Sequence, residues 1–422
     1  MKLLHTSDWH LGQTLHQHER DGEHAHFLAW LLDTLVAEQV DALLVSGDVF
    51  DTTNPSAAAQ SMLYRFLSQA RQRMPHLNVV ITAGNHDSPG RLEAPSPLLA
   101  LFGAHVVGSV AQAGDGPDLS RLVVPLHNRA GEVAAWCMAV PFLRPADVPR
   151  VELPENNGDA YAAGIQALYS QVLAHALSLR QPGQAVVAMG HCHVTGAQVS
   201  EESERRIVVG GAEALAVSLF SPAIAYVALG HLHLAQSVGG DPTRRYCGSP
   251  LPMSFSEIHY PHQVVVVELA GEGVADTRSV PVPRCVDLLR VPAQPALLPQ
   301  VLTALQALPD QPPPDTPHAP EAWPYLLVRV QLTQPEPGLR SQIEEALAGK
   351  AVRLVRIETS MAHSTPAQAA PTVTLDELDN LSPSAFFERL YSHRFGAPPP
   401  TELLGAFHEL LLAPADAEGE AA

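Results

Sequence analysis

Five short apolar runs constrain this chain more than any other feature, because a polar side chain suited to a divalent metal follows each of them at once. The runs Leu3 to Ser7, Leu43 to Gly47, Val80 to Gly84, Val186 to Gly190 and Tyr226 to Gly230 lead into Asp8-Trp9-His10, Asp48, Asn85-His86, His191-Cys192-His193 and His231-Leu232-His233. Strands apolar on both faces belong to a parallel sheet covered by helices. In such sheets the crevice at the carboxyl ends of the strands is where ligands bind. Residues as remote along the chain as Asp8 and His233 thereby become neighbours. In four of the five a glycine precedes the polar residue, which permits a sharp exit from the strand and close backbone approach.

The remaining pattern is that of an α/β layered chain. Buried strands are expected at Lys2 to Thr6, Ala42 to Ser46, Val79 to Ala83, Ala185 to Met189 and Tyr226 to Leu229. Arg121 to Pro125, Ala134 to Val140, Arg206 to Val209 and Val264 to Leu269 supply shorter ones. Helical spacing of apolar residues marks His24 to Gln39, Pro55 to Met74 and Ala160 to Leu179. Beyond residue 277 the order becomes strand (Val286 to Val291), helix (Pro295 to Leu308), strand (Tyr325 to Leu332), helix (Leu339 to Ala348) and strand (Val352 to Glu358), with proline-rich Pro309 to Pro320 as a loop. The expected division is 1–277, an α+β unit at 278–360, a linker at 361–379, two amphipathic helices at 380–413 and an acidic tail at 414–422. Ser382-Pro383 starts the first of these helices and Gly396 stops it. Leu403, Leu404, Phe407, Leu410 and Leu411 make the apolar stripe of the second.

Two aspartates, an asparagine and several imidazoles form a mixed oxygen and nitrogen donor set, which suits manganese, iron or zinc better than calcium. So many donors exceed the needs of one ion. Two ions about 3.5–4 Å apart, sharing a carboxylate, are the economical arrangement, and their chemistry is in-line displacement at phosphorus. Taken singly, each motif has an ordinary explanation. One histidine among 21 is more often a surface or core residue than a ligand, and Gly-Asp after an apolar run is usually turn chemistry. Five motifs agreeing in structural position are harder to dismiss.

The order D-x-H, G-D, G-N-H-D, G-H, G-H-x-H resembles the calcineurin-like metallophosphoesterases. The segments 7–12, 47–51, 84–92 and 246–257 look like one branch of them, the SbcD family of nuclease subunits from bacterial SbcCD complexes. The resemblance implies a two-sheet α/β sandwich flanked by helices, a small α+β capping domain that touches DNA, and a C-terminal helix-loop-helix. It implies that Asp8, His10 and His233 hold one divalent ion, that Asn85, His191 and His231 hold another, and that Asp48 bridges both. Manganese comes first among the metals, with magnesium, iron and zinc as alternatives. His86 would contact the scissile phosphate, stabilising the transition state or protonating the leaving oxygen. Asp87 is expected to orient His86, or else to cap the following turn. His193, Cys192 and Asp51 have no assigned role, and the cluster His16, His18, His24 and His26 reads as a solvated face.

The partners implied are DNA, a second copy of the chain bound through helices of the first domain, and an SMC-type ATPase of the SbcC kind held by residues 380–413. With that ATPase the expected activity is ATP-dependent exonuclease action on double strands, alongside endonuclease action on hairpins and single strands. Forty-four acids against 25 bases give a net charge of −19, which argues against a stand-alone nucleic-acid coat but not against an enzyme that meets phosphates through metal ions. Four dispersed cysteines form no disulfide or zinc framework. No stretch approaches a membrane span or signal peptide, so a cytoplasmic location is expected. A small-substrate phosphoesterase, such as a cyclic-nucleotide phosphodiesterase, leaves the second domain and tail unexplained. A non-catalytic scaffold for the ATPase leaves the intact donor set unexplained.

Overall fold

The computed structural model describes residues 1–114, 116–151, 160–198, 214–312, 320–361, 383–395, 398–400, 403–404 and 407. The strands of its two largest sheets are β1 (Lys2–Thr6), β2 (Ala42–Ser46), β3 (Asn78–Thr82), β4 (Ala104–Val107), β5 (Val123–His127), β6 (Val133–Ala139), β7 (Ala185–His191), β8 (Tyr226–Gly230), β9 (Gln236–Val238), β10 (Asp241–Tyr246), β11 (Gln263–Ala270) and β12 (Gly273–Pro281). They form two six-stranded sheets, ordered β12-β11-β1-β2-β3-β4 and β9-β10-β8-β7-β6-β5. In the first sheet β1 to β4 run parallel, with Leu3 opposite Ala42 and Leu43 opposite Val79. In the second, β6, β7, β8 and β10 do so. All five strands that precede the polar motifs therefore end on one edge of the sandwich.

Side-chain alternation explains how the sheets are covered. Leu3, Leu44, Val80, Val265 and Val267 point into the core shared with Val187, Val227 and Leu229 of the second sheet. Their neighbours Leu4, Leu43, Val45, Val79 and Ile81 point outward, beneath helices α1 (Asp21–Ala37) and α2 (Ala57–Arg73). Phe27, Leu31 and Leu35 of α1 and Leu63, Phe66 and Ala70 of α2 close that layer. The Ser56 hydroxyl caps α2 by accepting from the Ala59 amide. Helix α3 (Ala160–Leu179) covers the second sheet with Ile165, Leu168 and Val172.

Several elements depart from sequence expectation. Strands β4, β9, β10 and β12 carry no long apolar run and have no counterpart among the expected strands. Arg206 to Val209 lies outside the described residues. The chain divides into one compact unit of Met1–Leu288 with Ala319–Pro324 and a second of Leu289–His318 with Tyr325–Ala422. Strand β12 runs through position 277, where the sequence pattern places a boundary.

The second unit contains a three-stranded sheet, β13 (Leu288–Leu297), β14 (Tyr325–Leu332) and β15 (Arg353–Met361), with helices α4 (Leu298–Gln306) and α5 (Leu339–Ala346). Val301, Leu305, Leu326, Val328, Val330 and Ile343 form its core. The helix expected from Pro295 begins instead at Leu298, because β13 continues through Pro292 and Pro295. That strand lies at a sheet edge, the place in a sheet that tolerates proline. Helix α6 (Pro383–Phe395) forms at the start of 380–413, and its Phe387 stacks on Phe407 with ring centroids 4.2 Å apart. Leu410, Leu411, most of the 361–379 linker and the 414–422 tail lie outside the described residues. Among the described residues no helix is long and apolar enough to cross a membrane.

Candidate metal centre

The five strand ends converge. Ligand atoms of Asp8, His10 and His233 lie within 4.8 Å of one another, as do those of Asp48, His191 and His231. A third group, His10, Asp48 and His86, overlaps both in composition. The loops that present these residues are locked together. The amides of Asp8, His10 and Leu11 donate to the carbonyls of Gly47, Asp48 and Val49 at 3.0, 3.0 and 2.9 Å. Asp8, His10, Asp48 and His231 all have left-handed backbones, with φ of 54°, 46°, 49° and 102°. Such conformations are costly for residues bearing a Cβ and persist where surrounding structure enforces them. Two of the preceding glycines have a definite steric reason. A Cβ on Gly84 would overlap the Asp48 carboxylate, and one on Gly230 would overlap the Ser46 carbonyl.

Proton bookkeeping shows what the site is built to receive. His191 Nδ1 donates to the Ser46 carbonyl at 2.9 Å, so the Nε2 of a neutral ring is an acceptor. That Nε2 faces Asn85 Oδ1 at 2.9 Å and Asp48 Oδ2 at 3.3 Å. His10 Nδ1 donates to Asp51 Oδ1 at 3.2 Å, which leaves His10 Nε2 buried, without a hydrogen-bond partner and 3.7 Å from Asp48 Oδ2. His231 Nδ1 lies 3.2 Å from Asn85 Oδ1. Lone pairs converging in this way are favourable only with a proton or a cation among them.

The titration behaviour agrees. Burial alone would lower His191, but the Asp48 charge and hydrogen bond outweigh it and push the ring up to about 9. Burial would raise Asp48, yet the charges of His191, His10 and His86 hold it well below the usual carboxylate range. Burial pushes Asp8 up and His231 well down. The donor set fits a divalent cation on these grounds.

Neighbouring residues hold the donors. Asp8 accepts from the His231 amide at 3.0 Å, tying the first sheet's leading ligand to the second sheet. His86 donates its amide to Asp48 Oδ1 at 2.8 Å and its Nδ1–H to the Asp51 carbonyl at 2.7 Å. The buried carboxylate of Asp87, expected to orient His86 or cap a turn, accepts the amides of Phe50, Gly84 and Val49 at 2.9, 2.9 and 3.1 Å, bracing the Asp48 loop against the Asn85 loop. Burial, then the Asp48 charge, push Asp87 up to about 6 despite those amides. Trp9 is fully buried beneath the site, edge-on to Phe27 and Phe66.

Two residues without an expected role prove to be neighbours of the donors. Asp51 meets His10 and His86, and fully buried Glu257 accepts from His233 Nδ1 at 2.8 Å. Glu257 lies in the 246–257 stretch that resembles the SbcD branch but, unlike the donors' motifs, it follows no apolar run. Among the described residues, His193 joins none of the three donor groups. The His16 cluster is not one solvated face: His16 and His26 are exposed, His18 is half-buried, and His24 is fully buried.

Comparison with known proteins gives the family. A calcineurin-like phosphoesterase model matches residues 1–235, and a model described as the type 5 capsule protein repressor C-terminal domain matches 284–395. A Rhodobacter capsulatus protein named as the SbcD subunit of nuclease SbcCD is 41% identical over 92% of this chain and 93% of its own length. The chain belongs to the SbcD family of calcineurin-like phosphoesterases. SbcD-family proteins of the same name from Escherichia coli K12 and Bacillus subtilis 168 are 36% and 37% identical, over 67% and 64% of this chain and 68% and 66% of theirs. For an SbcD-family member, the His and Asp cluster at the strand ends is a site for divalent metal.

Proposed function

We propose that the chain is the nuclease subunit of an SbcCD-type complex, hydrolysing DNA phosphodiesters with two divalent cations, manganese first among the candidates. The convergence of the Asp8, His10 and His233 group with the Asp48, His191 and His231 group, joined where His10 Nε2 comes within 3.7 Å of Asp48 Oδ2, carries this reading. Asp8, His10 and His233 would hold one cation, Asn85, His191 and His231 the other, and Asp48 would bridge them. Bound there, the cations supply Lewis acidity toward a phosphoryl oxygen and bring the pKa of water near neutrality.

The chain's own groups set the geometry. The Ser46 carbonyl and the Asp51 carboxylate fix the tautomers of His191 and His10, so that Nε2 faces inward. The Asp51 carbonyl does the same for His86, whose Nε2 is then placed to bind a phosphate oxygen or protonate the leaving oxygen. The Asp87 brace keeps the Asp48 and Asn85 loops in register while substrate enters.

Relatives named as SbcD subunits of SbcCD support an SbcC-type ATPase partner, with residues 380–413 as its docking element and a second copy of the chain joining through the first domain. Together with that ATPase, the chain would degrade double strands and serve DNA repair and recombination.

The test is cleavage of a DNA hairpin by the purified chain with manganese, set beside a nitrophenyl phosphodiester. Hairpin cutting is expected. Turnover of the small ester alone would favour a small-substrate phosphoesterase. His86→Ser should keep the wild-type cation content while cleavage falls by about 10²-fold or more, and undiminished cleavage would remove His86 from the mechanism.

A further inference from the structure

The groups standing behind the histidines differ between the two donor groups. His191 rests on a neutral backbone carbonyl, and its co-donor Asn85 is neutral as well. His10 and His233 each donate Nδ1–H to a carboxylate, Asp51 at 3.2 Å and Glu257 at 2.8 Å. A carboxylate behind an imidazole fixes the ring, makes its other nitrogen a stronger donor and adds negative charge. As the proposed bridge between the two cations, Asp48 would serve both and so cancels in the comparison.

Glu257 is the more firmly built of these two supports. It is fully buried, and its second oxygen accepts the Met253 amide at 2.7 Å. The loop carrying it is held by a buried cation. Arg20, 1% exposed, makes a bidentate pair with Glu23 at 2.7 and 2.8 Å and donates to the Pro252 carbonyl at 2.7 Å. It also donates to the Gln13 side-chain oxygen at 2.8 Å. Gln13 reaches both ways, its side chain to the Met253 carbonyl at 3.4 Å and its amide to the His10 carbonyl at 2.9 Å. One arginine thus ties the loop that bears His10 to the loop that supports His233.

We propose that Glu257 is a positioning residue that makes the Asp8, His10 and His233 group the tighter of the two cation sites, with the Arg20–Glu23 pair holding the loops of both its histidines. This rests on the two-cation reading above. Cations then load in order, and the Asp48, Asn85, His191 and His231 group fills second.

The test is a manganese titration of the full chain by calorimetry, with free ion counted by electron paramagnetic resonance and the melting temperature recorded for each variant. The wild type should show two steps. Glu257→Gln keeps the shape and one acceptor but loses the charge, and should weaken the tighter step by about 10–100-fold while the weaker step stays in place. Should that variant melt too low to titrate, Asp51→Asn, whose side chain is 29% exposed, is read the same way. Two steps at wild-type affinities in the variant, or a change confined to the weaker step, would overturn the assignment of Glu257 alone. A wild type that takes up no manganese would overturn the two-cation reading and this inference with it.

Discussion

In the two-cation reading Asp48 is the residue that both donor groups share. One carboxylate oxygen takes the His86 amide and the other faces His191 and His10. Asp48→Ala should therefore lose both cations and not merely one; elemental analysis of the purified variant checks this, and two ions per chain would contradict the bridging role. At this scale the sequence is informative where chemistry follows from position along a strand. Asp8, Asn85 and His231 converge because each leaves the end of an apolar run. It is silent where chemistry depends on what a loop meets in space. Asp87 adjoins His86, but its side chain turns toward the backbone of residues 49 and 50. Glu257 meets His233 from a loop whose Pro252 carbonyl accepts from Arg20 and whose Met253 amide donates to Glu257 itself.

Among elements, the seam between the sheets offers a test of acid sensitivity. His5 of β1 contacts the Tyr226 hydroxyl at 3.0 Å and the Leu229 carbonyl at 3.2 Å, both on β8. Burial, and then the Arg245 charge, lower its pKa from 6.5 to about 3. Between those values the unfolded chain binds a proton that the folded chain refuses, so stability falls as pH drops below about 6.5 and the loss levels off near 3, by about 1.4 kcal/mol per pH unit. Above 6.5 this histidine adds no slope. Unfolding of His5→Gln in urea at pH 6.5 and 5 should lack about 2 kcal/mol of the wild-type decline; an equal decline in both would exclude His5 as the source. The buried strands are legible because β2, β7 and β8 are apolar up to their last one or two residues. Strand β12, exposed along much of its length, and β13, which carries two prolines, lack that signal and take their form from the strands they pair with.

For the whole molecule, a net charge of −19 favours, for the proposed DNA substrate, contact through cations or through basic surface supplied by a partner. Deleting residues 380–413 should abolish co-purification with the SMC-type ATPase and spare manganese-dependent cutting of single strands. Continued co-elution of the ATPase in a pull-down would place its docking site elsewhere. The two sheets share the donor set unequally: Asp8, His10, Asp48 and Asn85 follow strands of one, and His191, His231 and His233 come from the other. Since a chain leaves the ribosome amino end first, the early half of the sandwich emerges with its acids but without three of the imidazoles. A polypeptide interrupted anywhere before His233 would lack at least one donor of these groups, so truncated copies are expected to take up less divalent metal than the whole chain.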